Sequence, residues 1–295
     1  MLKLRKVSDP LIAMTGVTGY IGSGVARVLE REGHRLRLVA RDPARIPDDL
    51  HGEPVAAAYG DHEAMTAALA GASTLFLVSG REHPERLEHH RQAVAAAAAA
   101  GIGRIVYLSF LNAAPDATFT LARQHFHTEQ FIRETGAAHV FLRDSLYCDF
   151  LPFFVGRDGV LRAPAGGGRV SLVVRGDIIE AAATVLSDPG HDGTTFDITG
   201  PEAVTLAEAA ARLSRFVGHE ITYEPETEED AYVSRSVYGA PDWEVEGWVT
   251  SYLAIANGEL ATVSDAVETL TGHPPRSIED YLQSHPDSYR HLRDG

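Results

Sequence analysis

Short apolar runs alternate with longer helix-forming stretches from Leu11 to about Arg143. The runs Leu11–Met14, Leu36–Ala40, Val55–Ala58, Thr74–Val78, Ile105–Leu108 and Val140–Leu142 predict strands. Between them, Ile21–Arg31, Pro43–Ile46, Glu63–Leu69, Glu85–Ala100 and Phe119–Glu134 suit helices by composition or period. Continuous apolar strands separated by helices imply a parallel sheet covered on both faces. The alanine run Ala95–Ala100, stopped by Gly101, is a strong helix former that packs closely on a sheet.

After Arg143 proline and glycine thicken, and strand-like pieces appear at Val170–Val174 and Thr195–Ile198. A helix is expected over Asp177–Leu186, opened by Asp177 as its N-cap, and another over Leu206–Val217, with Thr205 and Glu208 as a capping box. Glu224–Asp230 reads as a solvated acidic face. The expected fold is α/β: a doubly wound parallel sheet of Rossmann type over residues 1–148, with a smaller α/β part over 149–295. A stretch near 170–190 is expected to pack back on the first sheet.

Composition narrows the class. The 295 residues are 44% hydrophobic and 23% charged, an ordinary balance for a globular protein. The formal charge of −15 disfavours phosphate backbones and anionic lipid, so neither nucleic acid nor a membrane is an expected partner. One cysteine, Cys148, permits no internal disulfide and fits a reducing compartment. No apolar run suits a bilayer, and Lys3, Arg5 and Lys6 are not followed by a signal-type apolar stretch, so the cytoplasm is expected. The 14 histidines show no metal-binding spacing: His89 and His90 are adjacent, and His125 and His127 diverge on a helix. No metal is expected.

The candidate chemistry begins at Thr15-Gly16-Val17-Thr18-Gly19-Tyr20-Ile21-Gly22, between the first strand and the first helix. Glycines there allow a tight turn, close approach of a pyrophosphate and close helix–strand packing, while helix amides and dipole favour the anion. At the end of the second strand, an acid would bind a ribose 2′-hydroxyl, whereas arginine accommodates a 2′-phosphate. The chain has Arg41, with Arg45 following, and Asp42-Pro43 reads as a helix cap. NADP(H) is therefore expected over NAD(H). Asp61, Ser79 and Ser109 follow the third, fourth and fifth strands, where such sheets bind ligands. Each is equally suited to being a loop or cap residue.

With these segments, the chain resembles the NmrA-like branch of the atypical short-chain dehydrogenases, most of all the bacterial NAD(P)H:quinone oxidoreductase type. The resemblance continues through Val39-Ala40-Arg41-Asp42-Pro43-Ala44-Arg45, Tyr59-Gly60-Asp61, Tyr107-Leu108-Ser109, His125-Phe126-His127-Thr128-Glu129, Leu142-Arg143-Asp144-Ser145-Leu146-Tyr147 and Thr271-Gly272-His273-Pro274-Pro275-Arg276. It implies that Gly16, Thr18, Gly19, Tyr20, Ile21 and Gly22 surround the pyrophosphate, that Arg41 meets the 2′-phosphate and that Ser79 lines the nicotinamide side. Aligned on Glu129, the tyrosine and lysine of ordinary short-chain dehydrogenases fall on Leu121 and His125. Simple ketone reduction by the usual route is then disfavoured. A quinone suffers less from the loss, because hydride addition yields an aromatic, phenolate-like anion rather than a strongly basic alkoxide.

His125 is a candidate for ribose contact or proton delivery, and equally for a helix histidine without a chemical role. Tyr147 is a candidate for stacking on or bonding to the acceptor, and equally for a core aromatic. Phe150, Phe153 and Phe154 are candidates for a pocket wall. The expectation is an NADPH-dependent oxidoreductase acting on a quinone or similar conjugated small molecule. The alternatives are an NADP(H)-binding redox sensor that works through a protein partner, and a biosynthetic reductase of a conjugated or imine-like intermediate. The oligomeric state is not legible.

Overall fold

The computed structural model describes residues 10–293. The Met1–Pro10 segment read above for targeting signals lies, but for Pro10, outside them. The first half runs β1 (Leu11–Met14), α1 (Tyr20–Arg31), β2 (Arg35–Ala40), β3 (Glu53–Ala56), α2 (His62–Leu69), β4 (Thr74–Val78), α3 (Arg86–Ala99), β5 (Arg104–Phe110), α4 (Thr120–Glu134) and β6 (Ala138–Asp144). The second runs β7 (Val160–Ala163), β8 (Arg169–Val170), α5 (Arg175–Ser187), β9 (Thr195–Ile198), β10 (Val204–Thr205), α6 (Leu206–Val217), β11 (Thr222–Pro225), α7 (Glu228–Arg235), α8 (Asp242–Ala256), α9 (Ala266–Thr271) and α10 (Ile278–Ser284).

Seven strands form one parallel sheet in the order β3-β2-β1-β4-β5-β6-β9. The order reverses between β1 and β4, which opens a crevice at their carboxyl ends. Strand β5 is buried along its whole length, and its side chains serve two cores by simple alternation. Val106 and Leu108 join Val25, Leu29, Ile178 and Val185 beneath α1 and α5. Ile105 and Tyr107 join Leu69, Val94 and Ala97 beneath α2 and α3. Ala93, Ala96 and Ala97 are buried and let α3 lie close, as the alanine run implied. A third core, with Phe110, Phe119, Leu172, Leu206, Leu213 and Leu282, fills the C-terminal part.

The C-terminal stretch returns to the sheet further than expected. Helix α5 packs beside α1, and β9 pairs with β6, so the return reaches Ile198. Two local expectations need correction. Asp177 does not cap a helix: α5 starts at Arg175 after Val174, and the Asp177 carboxylate instead accepts from the Arg276 side chain and from the Arg276 amide at 2.8 Å. His273 reaches Glu180 of α5 at 2.6 Å, so the His273–Arg276 motif staples the tail to α5. The Val170–Val174 run is strand only at its start. Beyond it, Ser171 N–H bonds to the Leu260 carbonyl at 2.9 Å, and Val173 makes an isolated parallel bridge with Tyr147, its N–H on the Leu146 carbonyl at 3.0 Å. Apolarity there reflects burial more than strand pairing. Thr205 and Glu208 do form the reciprocal capping box of α6. The acidic Glu224–Asp230 stretch divides between the end of β11 and the first turn of α7, where acids suit the helix dipole.

Candidate functional site

The turn between β1 and α1 is built around close backbone approach. Gly16 has φ +68°, and a Cβ there would stand 2.6 Å from Val78 Cβ. A Cβ on Gly22 would run into the Gly16 carbonyl. The turn is pinned from below. Thr15 Oγ1 donates to the Phe76 carbonyl at 3.1 Å and accepts from Val78 N–H at 3.0 Å. The Tyr59 hydroxyl lies 2.5 Å from both Thr15 Oγ1 and the Val78 carbonyl, donating to one at a time.

Gly19 is the N-cap of α1, no side chain caps the helix, and its first turn holds no acid. Thr18, Gly19 and Tyr20 are exposed, whereas Ile21 and Gly22 are buried and offer backbone only. The open amides and positive dipole end make a fitting cradle for a pyrophosphate. Tyr20 is tied to the C-terminal part: the Arg175 guanidinium lies 4.0 Å from its ring centroid and 4.9 Å from that of Phe150. Asp149 holds Arg175 there through Nε at 2.8 Å.

Arg41 and Arg45 are exposed at and just beyond the end of β2. Asp42 caps the short turn Pro43–Arg45, accepting from Ala44 N–H at 3.1 Å, as its sequence context implied. Asp61 is likewise a cap: its carboxylate accepts from Ala64 N–H at 3.0 Å at the start of α2. With Gly60 it borders an open groove of about 550 Å³ that His62, Glu63, Arg91 and Gln92 also line. Ser79 is half-buried beyond the end of β4, in the crevice.

Ser109 is not in the crevice. It is buried, and its hydroxyl donates to Glu129 at 2.7 Å. Glu129 is also buried and takes two bonds from Arg143, at 2.8 and 2.6 Å. This cluster locks α4 to β5 and β6, and a ligand role for Ser109 is corrected to a structural one.

His125 is placed inside as well. It is 5% exposed, with Arg86 NH2 3.0 Å from its Nε2 and the Tyr107 hydroxyl 2.9 Å from its Nδ1. Guanidinium can only donate, so Nε2 accepts and Nδ1 carries the hydrogen. Burial, reinforced by Arg86, holds the ring far below the usual histidine range and therefore neutral. As placed, neither nitrogen is free for a ribose or an acceptor. Direct contact by His125 is thus replaced by an internal role. Leu121, one turn earlier, packs against the C-terminal core.

Tyr147 is half-buried just beyond β6, its hydroxyl 2.8 Å from the Asp144 carboxyl. Asp144 is buried, and desolvation pushes it well above the carboxylate range. Tyr147 is raised too, by burial and then by Asp144. Cys148 beside it is buried, and burial pushes its thiol up, so it is inert packing. Of the three phenylalanines, Phe150 stays by Tyr147, with ring centroids 5.8 Å apart. Phe154 packs on Tyr252 and Phe153 on His291.

The sequence motifs contained Thr15, Tyr59 and Asp144 without giving them a role of their own, and Arg86 lay outside them. Asp144 had a signal, an acid at a strand's carboxyl end; Arg86 had none, since it opens a helix dense in charge. His83, Glu85 and His89 also meet in the structure, with ligand atoms within 4.8 Å of one another. The two rings are stacked, at 5.4 Å and 19°, so their in-plane lone pairs run side by side rather than converging on one ion.

A glycine-walled helix N-terminus at the switch point of a doubly wound sheet defines a dinucleotide-binding protein of the Rossmann class. The chain belongs to the NAD(P)H-binding family, whose model matches residues 16–189. It is 32% identical over 279 residues to quinone oxidoreductase 2 of Escherichia coli K12, covering 92% of this chain and 96% of the relative. It is 34% identical over 284 residues to the (4-alkanoyl-5-oxo-2,5-dihydrofuran-3-yl)methyl phosphate reductase of Streptomyces griseus, covering 95% of this chain and 99% of the relative. The crystal structure of the NADPH-dependent quinone oxidoreductase from Escherichia coli complexed with NADPH superposes with a TM-score of 0.86, at 31% identity, over 92% of this chain and 99% of that one. No helix among the described residues is long and apolar enough to cross a membrane.

Proposed function

We propose that the protein passes a hydride from NADPH to a quinone or similarly conjugated acceptor. The observation that carries this reading is the uncapped, glycine-walled N-terminus of α1 at the sheet's switch point, with Arg41 exposed at its side. The amides of Thr18 and of Tyr20–Gly22 receive the pyrophosphate, Gly19 N–H being held by the Gly16 carbonyl at 2.9 Å, and Arg41 and Arg45 meet the 2′-phosphate. The Gly60–Asp61 loop borders the adenine, and Ser79 lines the nicotinamide end. When bound, NADPH supplies the hydride, two electrons that turn quinone and one proton into hydroquinone and NADP⁺.

The chain's own part is to hold a flat acceptor against that end and to provide the proton. Tyr147, half-buried just beyond β6 with its hydroxyl donating to the buried Asp144 carboxyl, is our candidate for it. A hydroquinone anion is stabilised and phenolate-like, so hydride transfer to a quinone leans on a positioned acid less than alkoxide formation does. The Streptomyces griseus relative, named for a conjugated furanone phosphate, supports a second reading in which the acceptor is a conjugated biosynthetic intermediate.

The test is cofactor oxidation by the purified protein across a panel of quinones, conjugated enones and an azo dye. Turnover with the quinones, faster with NADPH than NADH, is expected. Tight NADPH binding with no oxidation across the panel would overturn the reductase reading and favour a redox sensor.

A further inference from the structure

Among the described residues, Arg86 is a buried cation with no carboxylate in ion-pair contact. It is 3% exposed, and its Nε donates to the Gly80 carbonyl at 2.7 Å, its NH1 to Gln124 Oε1 at 2.9 Å and its NH2 to His125 Nε2 at 3.0 Å. All three partners are neutral. None of the groups in direct contact with those partners carries a negative charge. Gly80 N–H donates to His90 Nε2 at 2.8 Å, so His90 Nδ1–H donates to Thr128 Oγ1 at 2.9 Å, and Thr128 donates to the Gln124 carbonyl at 2.8 Å. Tyr59 and Tyr107 are buried phenols held un-ionised by desolvation. Glu82 acts on Arg86 electrostatically from beyond ion-pair distance, and its carboxyl is raised by burial and then by Glu244.

A guanidinium does not lose its proton, so the full positive charge persists in a weakly polarisable interior. Folding alone gives no reason for it, because an apolar side chain would fill the place without the desolvation penalty. Its location suggests the reason. Arg86 grips Gly80, the residue after Ser79, and so lies directly under the crevice at the end of β4.

We propose that Arg86 reads the oxidation state of the cofactor. NADP⁺ and NADPH carry the same phosphates and riboses and differ at the ring, which is cationic in NADP⁺ and neutral in NADPH. A fixed positive charge beneath that ring opposes the cation and leaves the neutral form alone. The protein therefore holds NADPH more tightly than NADP⁺ and releases the product of hydride transfer. This rests on the nicotinamide end lying over Ser79, as proposed above. For unit charges on the order of 10 Å apart, an effective dielectric of about 20 corresponds to roughly tenfold discrimination.

The test is calorimetric titration of the intact protein with NADPH and with NADP⁺, without any acceptor. Wild type is expected to favour NADPH about tenfold. Arg86→Met should bring the two affinities together by tightening NADP⁺, which damage to the site would not do, and Arg86→Lys should retain the preference. Gln124→Glu is the second route should Arg86→Met not fold. It sets a carboxylate against NH1 while keeping the hydrogen bond, and it should erase the preference too. Equal wild-type affinities, or a preference unchanged in Arg86→Met and Gln124→Glu, would overturn the assignment while leaving the dinucleotide site intact. Failure of wild type to bind either form would remove the functional reading itself, and this inference with it.

Discussion

Gly16→Ala and Gly33→Ala form a matched pair that isolates what the β1–α1 turn requires. Both glycines have positive φ, +68° and +87°, so alanine meets the same left-handed strain at each. They differ in surroundings: a Cβ at Gly33 meets nothing within 4 Å, whereas at Gly16 it would stand 2.6 Å from Val78 Cβ and 2.9 Å from its Cγ1. Strain alone costs about 1–2 kcal/mol, partly offset through the unfolded chain, so Gly33→Ala should lose about 1 kcal/mol. Overpacking adds about 1–3 kcal/mol at Gly16, for a total near 3 kcal/mol. At roughly 2–4 °C per kcal/mol, the losses in Tm are about 2–4 °C and about 6–12 °C. The informative assay is thermal unfolding with and without NADPH. At a hundredfold excess over Kd the ligand adds about 2.7 kcal/mol, and that shift should survive in Gly33→Ala and shrink in Gly16→Ala. Equal losses in the two variants, or a full NADPH shift in Gly16→Ala, would refute the close-approach reasoning.

Arg41→Ser should weaken NADPH binding about 10- to 100-fold through loss of charge-assisted bonds to the 2′-phosphate, with NADH little changed. Equal loss for both cofactors in a fluorescence titration would show that Arg41 does not read that phosphate. Glu129→Gln strands Arg143 half-buried without its counter-charge, and should lower urea stability by about 3 kcal/mol; a change under about 1 kcal/mol contradicts the buried pair. The hydrogen bond to Glu180 raises His273 above its ordinary value. Its stabilisation is then full below that ordinary value and lost as pH rises through the raised one. His273→Ala should therefore destabilise by about 0.5 kcal/mol near pH 5.5, an exposed-pair magnitude, and by almost nothing near pH 9. An equal effect at both ends would contradict the pairing.

Period and apolarity made the sheet legible. Strands β1 and β4 fall on the expected residues, because buried parallel strands are continuous apolar runs bounded by polar turns. The edge strand β3 shifted by two residues, being exposed on both sides and so without a clear pattern. Val170–Val174 misled because a buried segment held by loop carbonyls is as apolar as a strand. The glycine turn was legible because its requirement is backbone geometry, which only one residue type meets. Side chains were legible only where local partners decide them, as with Asp42 and Thr205. His125, Ser109 and Asp177 were not. Their partners Arg86, Glu129 and Arg276 lie 39, 20 and 99 residues away, and nothing local announces such pairs.

The most direct test of hydride transfer is a single turnover. The protein loaded with NADPH is mixed with a quinone, and loss of the reduced-nicotinamide absorbance is followed, with NADPH deuterated at C4 run beside it. Oxidation should occur in one exponential phase, slowed severalfold by deuterium, with one hydroquinone formed per cofactor. Stable, fully bound NADPH that quinone leaves reduced would contradict it.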